Sequence, residues 1–259
     1  VLGVSGAVAH ATAAALDIPL YSHLAPEAPG RLPLPMVNIL SGGLHAEGGV
    51  EIQDFLVVPS GAETYPEAIE TVWDVRNAVR ERIVAAGERP LVADEGGFAP
   101  PLDALSDAFD LLVAGIEDAG HRPGREGVAI AVDVAASHFY DHAAETYRLE
   151  SLSRTVDREG MIDLVAGWVE DYPVVSLEDP LAEDDWPGWA SLSSRLGDHV
   201  QLLGDDLLVT DGDRLCRAVD ADAANAVLVK PNQAGTITRA IDVVEDAAAA
   251  GFRTVVSAR

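Results

Sequence analysis

The stretch PVVSLED, residues 173–179, is a short apolar run that ends in acidic side chains. Comparable runs that end in a charged residue occur four more times, in VAIAVD (128–133), VQLLGDD (200–206), NAVLVK (225–230) and RTVVSAR (253–259). Short continuous apolar runs are typical of strands that are buried on both faces of a parallel sheet. In chain order, the runs at 173–179, 200–206, 225–230 and 253–259 are regularly spaced. Each interval has room for a helix and two loops between successive strands.

Helical patterns lie between these runs. Apolar residues recur at helical spacing in 105–112 and 161–168, and the segment 238–251 ends at Gly251, a residue suited to a helix C-terminus. The alternation of strand and helix predicts an α/β fold with a parallel sheet and right-handed crossovers. Because the units are many and no Gly-rich G-x-G-x-x-G turn follows a strand, a closed (β/α) TIM-type barrel is favoured over an open doubly wound sheet.

Composition excludes several classes of partner. The 259 residues include 17 Lys+Arg against 43 Asp+Glu, and the net charge of −26 disfavours nucleic acid and anionic membranes while it suits divalent cations. The single Cys216 excludes an internal disulfide, and no apolar run reaches membrane-spanning length. These features predict a soluble, cytoplasmic protein. Because Val1 is not an initiator Met and the helical pattern that starts there has no N-cap candidate, we expect the chain to be a fragment.

Three acidic residues stand at predicted strand ends: Asp133, Glu178 and Asp205. In a barrel these ends face one mouth, where like charges repel unless a cation holds them. Each residue alone would more often cap the following helix, but three in register favour a metal site, and hard oxygen ligands indicate Mg²⁺. Lys230 ends a neighbouring run and has two interpretations of equal weight, a general base beside the metal or an ion-pair partner of the acids.

A further acidic segment is LVADEGGFAPP, residues 91–101, which we call the acidic loop. Asp94 and Glu95 precede Gly96 and Gly97, which allow the backbone to bend or to approach a ligand closely, and two prolines stiffen the exit. Taken alone, this pattern favours an ordinary surface turn, because short Gly-rich motifs match by chance often.

Six separated stretches occur in the order in which they occur in the enolase family, and the chain resembles that family over nearly its whole length. They are PLPMVNILSGGLHAEGGVEIQDF (33–55), DEGGFAP (94–100), DVAASHFY (133–140), SLEDPLAEDDW (176–186), GDDLLVT (204–210) and VKPNQAGT (229–236). The resemblance implies that residues 1–33 end an N-terminal α+β domain. Residues 34–259 would then form most of an enolase-like (β/α) barrel that lacks its last strand and helices at the C-terminal end.

The resemblance also implies the activity of a phosphopyruvate hydratase, a carbon-oxygen lyase of glycolysis that reversibly dehydrates 2-phosphoglycerate to phosphoenolpyruvate with Mg²⁺. It implies a small phosphorylated carboxylic acid as substrate and a homodimer or larger homo-oligomer. By the same resemblance Glu95 is the general acid and Lys230 the base. The metal ligands are Asp133, Glu178 and Asp205, and the substrate-binding positions are His45, Gln53, Asp54 and Arg259. Because family residues are missing at both ends, we expect the 259-residue fragment itself to be inactive.

The chain departs from the family's pattern at several positions near the implied site. Asp54 stands where the family has Glu, Ala258 replaces a histidine, His138 replaces an acid, and Pro231 and Ala234 replace a branched apolar pair. Three hypotheses therefore stay open. The protein is a working but divergent enolase, a retasked enzyme that acts on another phosphorylated or phosphonylated acid, or a catalytically silent homologue used for binding.

Overall fold

Strands formed by the apolar runs make up the centre of the molecule. The computed structural model of the chain describes residues 1–27, 30, 32–46 and 50–257. The strands are Val37–Ser41 (β1), Asp54–Val58 (β2), Ala129–Asp133 (β3), Tyr140–Asp141 (β4), Thr146–Leu149 (β5), Arg154–Val156 (β6), Val174–Glu178 (β7), Gln201–Gly204 (β8), Ala226–Val229 (β9) and Arg253–Val256 (β10). All five runs predicted to be strands contain one, as β3, β7, β8, β9 and β10.

Within the described residues, seven of these strands form one sheet in the order β1-β2-β3-β7-β8-β9-β10. Within this sheet, the strands β3, β7, β8, β9 and β10 are parallel, as predicted. The first two were not predicted, and β2 pairs antiparallel with both β1 and β3. The sheet is curled, and β1 and β10 are its two edges, so the fold is the incomplete (β/α) barrel that the sequence predicts.

Helices fill the intervals between most strands. They are Leu2–Ala15 (α1), Leu20–Leu24 (α2), Tyr65–Ala85 (α3), Leu105–Asp118 (α4), Arg158–Asp171 (α5), Trp186–Leu196 (α6), Gly212–Asp220 (α7), Pro231–Ala234 (α8) and Ile237–Ala249 (α9). The predicted helical patterns lie in α4, α5 and α9. Side chains cap two of these helices, because Asp157 accepts the Gly160 N–H at 2.9 Å before α5 and Thr236 accepts the Arg239 N–H at 3.1 Å before α9.

The two faces of the sheet carry different side chains. The main core lies between the sheet and the helices, where Phe109 stacks on Tyr172 with ring centroids 4.5 Å apart and meets Phe55 edge to face at 5.2 Å. The inner face carries small residues such as Ala129 and Ala131. Because strand side chains alternate, these alanines share a face with Asp133, so the inner face leads to the acidic strand ends.

A second sheet of three short strands, β4-β5-β6, lies between β3 and α5 in the chain and was not predicted. It is joined to the barrel by Tyr147, which is fully buried and whose hydroxyl accepts the Ala182 N–H at 3.0 Å.

At the start of the chain, Ser5 on α1 accepts the Ile237 N–H at 3.1 Å, which places α1 against α9. The boundary between the domains 1–33 and 34–259 stays a prediction. No helix among the described residues is both long and apolar enough to cross a membrane.

Candidate active site

Four carboxylates stand side by side on neighbouring strands, and we call them the carboxylate row: Asp54, Asp133, Glu178 and Asp205. Asp133 at the end of β3 pairs in register with Glu178 at the end of β7. On the other side, Asp133 pairs with Asp54, the first residue of the antiparallel β2. Asp205 directly follows β8, and Lys230 directly follows β9. The fold therefore brings the three predicted metal ligands and the predicted base together at the carboxyl ends of the parallel strands.

Hydrogen bonds hold two members of this row, Asp205 and Asp133. The ammonium of Lys230, the only lysine of the chain, forms an ion pair with Oδ2 of Asp205, and the two side chains are only 9% and 13% exposed. Nε2 of Gln233 donates to the other oxygen of Asp205 at 3.2 Å. Nε2 of Gln53 donates to Asp133 at 2.9 Å. Lys230 is thus an ion-pair partner of an acid, as one of the two interpretations of its sequence position predicted. Its role as a base stays a prediction.

The carboxylate row holds more negative charge than its neighbours neutralise. Burial, together with the charge of Asp54, raises the pKa of Asp133 to about 8. Burial also raises the pKa of Glu178 well above its ordinary value, helped by the charge of Asp133. A buried anion is costly unless it is paired, and a divalent cation would offset this cost. The donor set, made of hard oxygens, fits Mg²⁺.

Two sets of ligand atoms within the described ranges lie closer together than the predicted metal ligands do. The ligand atoms of His45, Asp54 and Glu95 lie within 4.8 Å of one another, and so do those of Asp179, Asp205 and Asp206. The trio of Asp133, Glu178 and Asp205 is not such a set. Asp205 turns instead toward Lys230, and Asp133 turns toward Gln53. The ligand trio therefore stays a prediction that requires these carboxylates to converge on the ion.

The buried Asp179 serves as an anchor for the backbone that carries Asp205. Its two carboxylate oxygens accept the backbone N–H groups of Asp205, at 3.1 Å, and of Asp206, at 2.7 Å. Burial raises its pKa well above the ordinary value of 3.8. Since its oxygens hold the backbone of the two residues that follow β8, we interpret Asp179 as a support of the β8 end.

The acidic loop is a shaped segment held against β1. Gly96 has a φ of 87°, and a side chain at Gly97 would meet Oγ of Ser41 at 2.4 Å, so both glycines are required. Arg76 donates to the Gly96 carbonyl at 3.1 Å and lies over the ring of Phe98. The loop therefore has a fixed base, while Glu95 itself is exposed at the mouth of the site.

Asp54 is the centre of a buried polar cluster. Ser41 donates to Oδ1 of Asp54 at 2.7 Å, Asn38 donates to the same oxygen, and Nδ1 of His45 lies 2.7 Å from Oδ2. Burial raises the pKa of Asp54 to about 6, against the lowering effect of the Ser41 hydrogen bond. Although Asp54 is one methylene shorter than the glutamate of the family, its carboxylate still lies within 4.8 Å of that of Glu95.

The other departures from the family's pattern have different structural settings. Pro231 begins the one-turn helix α8, a position where its fixed φ and missing N–H are tolerated, and Ala234 is buried at the end of that turn. His138 lies in the short 3₁₀ turn after β3, near the carboxylate of Asp206. Ala258 and Arg259 lie outside the described residues, so the predicted role of Arg259 stays a prediction.

Several residues of the site carry no charge and were not predicted from the sequence. They are Asn38, Ser41, Thr210 and Gln233, together with the buried anchor Asp179. Asn38 and Ser41 interrupt the otherwise apolar β1, and a polar residue in a fully buried strand indicates a hydrogen-bond partner. That signal was available in the sequence, whereas nothing there marks Thr210 or Gln233 as neighbours of Asp205.

The uncompensated charge of the carboxylate row leads to a pH prediction for the metal-free chain. In the folded chain Asp133 keeps its proton up to a pH of about 8, whereas in the unfolded chain it loses the proton above its ordinary pKa of 3.8. The unfolded state therefore binds fewer protons in this window, and the free energy of unfolding is expected to fall as the pH rises from 4 to 8.

Urea denaturation with a chelator, repeated across this pH range, measures the effect. The matched variant is Asp133→Asn, because it removes this titrating group and leaves the other acidic residues in place. The fall should be shallower in the variant. Equal pH slopes in the two proteins would show that Asp133 is ionised in the folded chain at low pH.

Comparisons with known proteins agree with this geometry. A family model described as the C-terminal TIM barrel domain of enolase matches residues 30–259. Two curated relatives, the proteins named Enolase 2 of Pseudomonas syringae pv. syringae (strain B728a) and of Pseudomonas syringae pv. tomato (strain ATCC BAA-871 / DC3000), are each 45% identical to the chain over 260 aligned positions. The alignments cover 100% of the chain and 60% of each relative, so the chain spans 60% of the length of these relatives. The family model covers most of the chain, and the chain belongs to the enolase family.

Proposed function

We propose that the complete protein that carries this chain catalyses the reversible, Mg²⁺-dependent dehydration of 2-phosphoglycerate to phosphoenolpyruvate. The observation that carries the proposal is the order of charged groups across the carboxyl ends of the parallel strands. Glu95 lies beside Asp54 at one end of the carboxylate row, and Lys230 lies beside Asp205 at the other. In a curled sheet the two ends face each other across the mouth, which suits an acid and a base that act on opposite sides of one substrate.

In this proposal the residues of the chain have separate tasks. Asp133, Glu178 and Asp205 would hold Mg²⁺, which supplies positive charge that stabilises the extra negative charge of the reaction intermediate. Lys230 takes the proton from the carbon next to the substrate carboxylate, which requires that its ion pair with Asp205 opens. Glu95 gives a proton to the leaving hydroxyl group. His45 and Gln53 line the substrate side of the site, and Arg259 binds the phosphate group.

The same proposal includes the substrate class, the cellular compartment and the oligomeric state of the protein. Its substrate is a small phosphorylated carboxylic acid, it works in the cytoplasm as part of glycolysis, and it assembles as a homodimer or a larger homo-oligomer. These statements rest on membership of the enolase family and on the acidic composition of the chain. A size measurement by light scattering on the complete protein tests the assembly, since a monomer would contradict it.

A retasked enzyme is the second candidate. It is favoured by Asp54, which stands where the family has Glu. The shorter side chain is held by Asn38, Ser41 and His45, so its position is set by the protein and not by the substrate. A shift of about 1 Å in a catalytic group can cost about a hundredfold in rate. A silent homologue used for binding is less favoured, because Glu95, Lys230 and all three predicted ligands are retained.

The direct experiment is an assay of the complete protein with 2-phosphoglycerate and Mg²⁺, in which the ultraviolet absorbance of phosphoenolpyruvate reports turnover. We expect turnover that a chelator abolishes and added Mg²⁺ restores. Failure to form phosphoenolpyruvate, in a preparation that is folded and binds Mg²⁺, would exclude the first candidate and favour the retasked enzyme.

The variant Ala258→His separates the first two candidates further. The family places a histidine directly before the phosphate-binding arginine, where it can donate a hydrogen bond that alanine cannot make. A charge-assisted hydrogen bond is worth roughly 1.5 to 3 kcal/mol, so the variant of a plain enolase should bind 2-phosphoglycerate about ten- to a hundredfold more tightly. Steady-state kinetics measure the change. In a retasked enzyme the same substitution would give no gain with 2-phosphoglycerate and would harm the native reaction.

A further inference from the structure

Thr210 lies in the turn between β8 and α7, five residues after Asp205. Its side chain contacts residues at and just after the end of the next strand, β9. The side chain is 2% exposed. Its hydroxyl accepts the backbone N–H of Lys230 at 2.8 Å, and it lies 2.9 Å from Oε1 of Gln233 and 3.1 Å from the Leu228 carbonyl. Thr210 thus contacts the backbone of the predicted base and the side chain that donates to Asp205.

The hydrogen-bond inventory decides how Gln233 is oriented. A threonine hydroxyl has one proton to donate, and the Lys230 N–H already occupies an acceptor position on the Thr210 oxygen. The hydroxyl proton therefore goes to the Leu228 or the Gln233 carbonyl oxygen. The Asp205 carboxylate only accepts hydrogen bonds, so the Gln233 NH₂ group must face it, at 3.2 Å, and the Gln233 carbonyl faces Thr210. A closed ring of contacts results, from Lys230 through Thr210 and Gln233 to Asp205 and back through the ion pair.

The backbone at this point supports the same conclusion independently. Val209 and Thr210 are consecutive β-branched residues with φ of 42° and 51°, a left-handed conformation that such side chains rarely adopt. Strained conformations persist only where the surrounding contacts determine them, and they gather at functional sites. The turn is held by the Asp205 carbonyl, which accepts the Val209 N–H at 2.6 Å. The strain therefore places the Thr210 hydroxyl between the two strand ends.

We propose that Thr210 and Gln233, here called the Thr210–Gln233 pair, are positioning residues that fix Asp205 and Lys230 relative to each other. The inference rests on the proposed function and adds to it a requirement of that chemistry. Lys230 must release Asp205 before it can take a proton, and Asp205 must turn to the metal ion. When the ion pair opens, the Thr210 hydroxyl still holds the backbone N–H of Lys230, and the Gln233 amide still holds one oxygen of Asp205.

The first test uses Thr210→Val, which keeps the shape of the side chain and removes the hydroxyl. In the complete protein we expect kcat to fall about ten- to a hundredfold, as for other residues that orient a metal ligand, with little change in KM for 2-phosphoglycerate. Thr210→Ser restores the hydroxyl and should restore kcat. Thr71→Val, a matched change at a buried threonine on α3, should leave kcat unchanged. Equal defects in the Val and Ser variants would show that the methyl group matters and would overturn the proposal.

The second test asks whether the two residues act as one unit. Gln233→Leu is combined with Thr210→Val in a double-mutant cycle on kcat. Residues that act only through each other are strongly non-additive, so the double variant should be no slower than the slower single variant. Defects that multiply in the double variant would mean that the residues act independently, and wild-type kcat in Thr210→Val would mean that the hydroxyl has no positioning role.

The third test does not depend on catalysis. Calorimetric titration with Mg²⁺ alone is expected to show about tenfold weaker binding in Thr210→Val and Gln233→Leu than in the wild type and in Thr71→Val. If the wild type binds Mg²⁺ but does not convert 2-phosphoglycerate, the proposed function fails while this test still decides on the pair. Unchanged Mg²⁺ affinity in both variants would contradict the coupling between Asp205 and the Thr210–Gln233 pair.

Discussion

Lys230→Ala in the complete protein is expected to abolish exchange of the carbon-bound proton of 2-phosphoglycerate with solvent deuterium. Glu95→Gln is expected to leave this exchange in place and to block loss of the hydroxyl group. The reason is the separation of the two groups, which lie at opposite ends of the carboxylate row. Lys230 acts on the first step and Glu95 on the second, so their defects should differ in kind.

The size of each effect follows from the role of a general acid or base, whose loss costs about 10²- to 10⁴-fold. Lys230 is the one lysine among these 259 residues. Deuterium exchange followed by NMR and formation of phosphoenolpyruvate are measured on the same samples. Glu183→Gln, at an acid outside the carboxylate row, serves as the control for the change in charge and should retain both steps. Equal loss of exchange in the Lys230 and Glu95 variants would refute the assignment of base and acid.

Asp133→Asn is expected to have two opposite effects, a loss of Mg²⁺ binding with a gain in the stability of the metal-free chain. Loss of an outer-shell partner already costs about 10- to 100-fold in metal affinity, and loss of a direct ligand should cost more. The stability should rise because the variant removes a carboxylate whose burial and neighbours raise its pKa to about 8. The neutral amide has no charge to desolvate.

Calorimetry with Mg²⁺ and thermal unfolding with a chelator measure the two effects. Asp74→Asn, at an exposed position on α3, is the matched control, because it makes the same change in net charge away from the site. We expect the control to bind Mg²⁺ as the wild type does. A variant Asp133→Asn that binds Mg²⁺ with wild-type affinity would remove Asp133 from the ligand set, and the convergence of Asp133, Glu178 and Asp205 on one ion would be wrong.

The parallel part of the sheet could be predicted because its strands are continuous apolar runs, and all of them except the edge strand β10 are largely buried. Runs of this kind are typical of buried parallel strands, and β9 is buried along its whole length. β1 is also buried, but Asn38 and Ser41 interrupt its apolar pattern because they bind the carboxylate of Asp54. The antiparallel start of the sheet was therefore hidden by the side chains that build the site. The strands β4 to β6 are too short for any period to be recognised.

The charged residues of the site could be predicted from their positions at strand ends, and their roles from resemblance to a family. The neutral residues around them could not. Thr210 lies in a turn and Gln233 in the one-turn helix α8, where polar residues are ordinary. The contact of Thr210 with Lys230 follows a turn with positive φ angles at Val209 and Thr210. Local sequence rules disfavour that conformation at β-branched residues, so the feature follows from the surrounding contacts and not from propensity.

The direction of β2 has a consequence for how the protein can change. In a parallel barrel strand the loop that follows the strand builds the site, and the loop that precedes it supports the fold. Because β2 runs the other way, the described residues that precede it, 42–46 and 50–53, lie at the mouth and include His45 and Gln53. The segment after Val58 lies at the opposite end. Selection for a new substrate would act on the length and composition of segment 42–53. Insertions that accumulate without functional effect should instead follow β2 and precede β3, β7, β8 and β9.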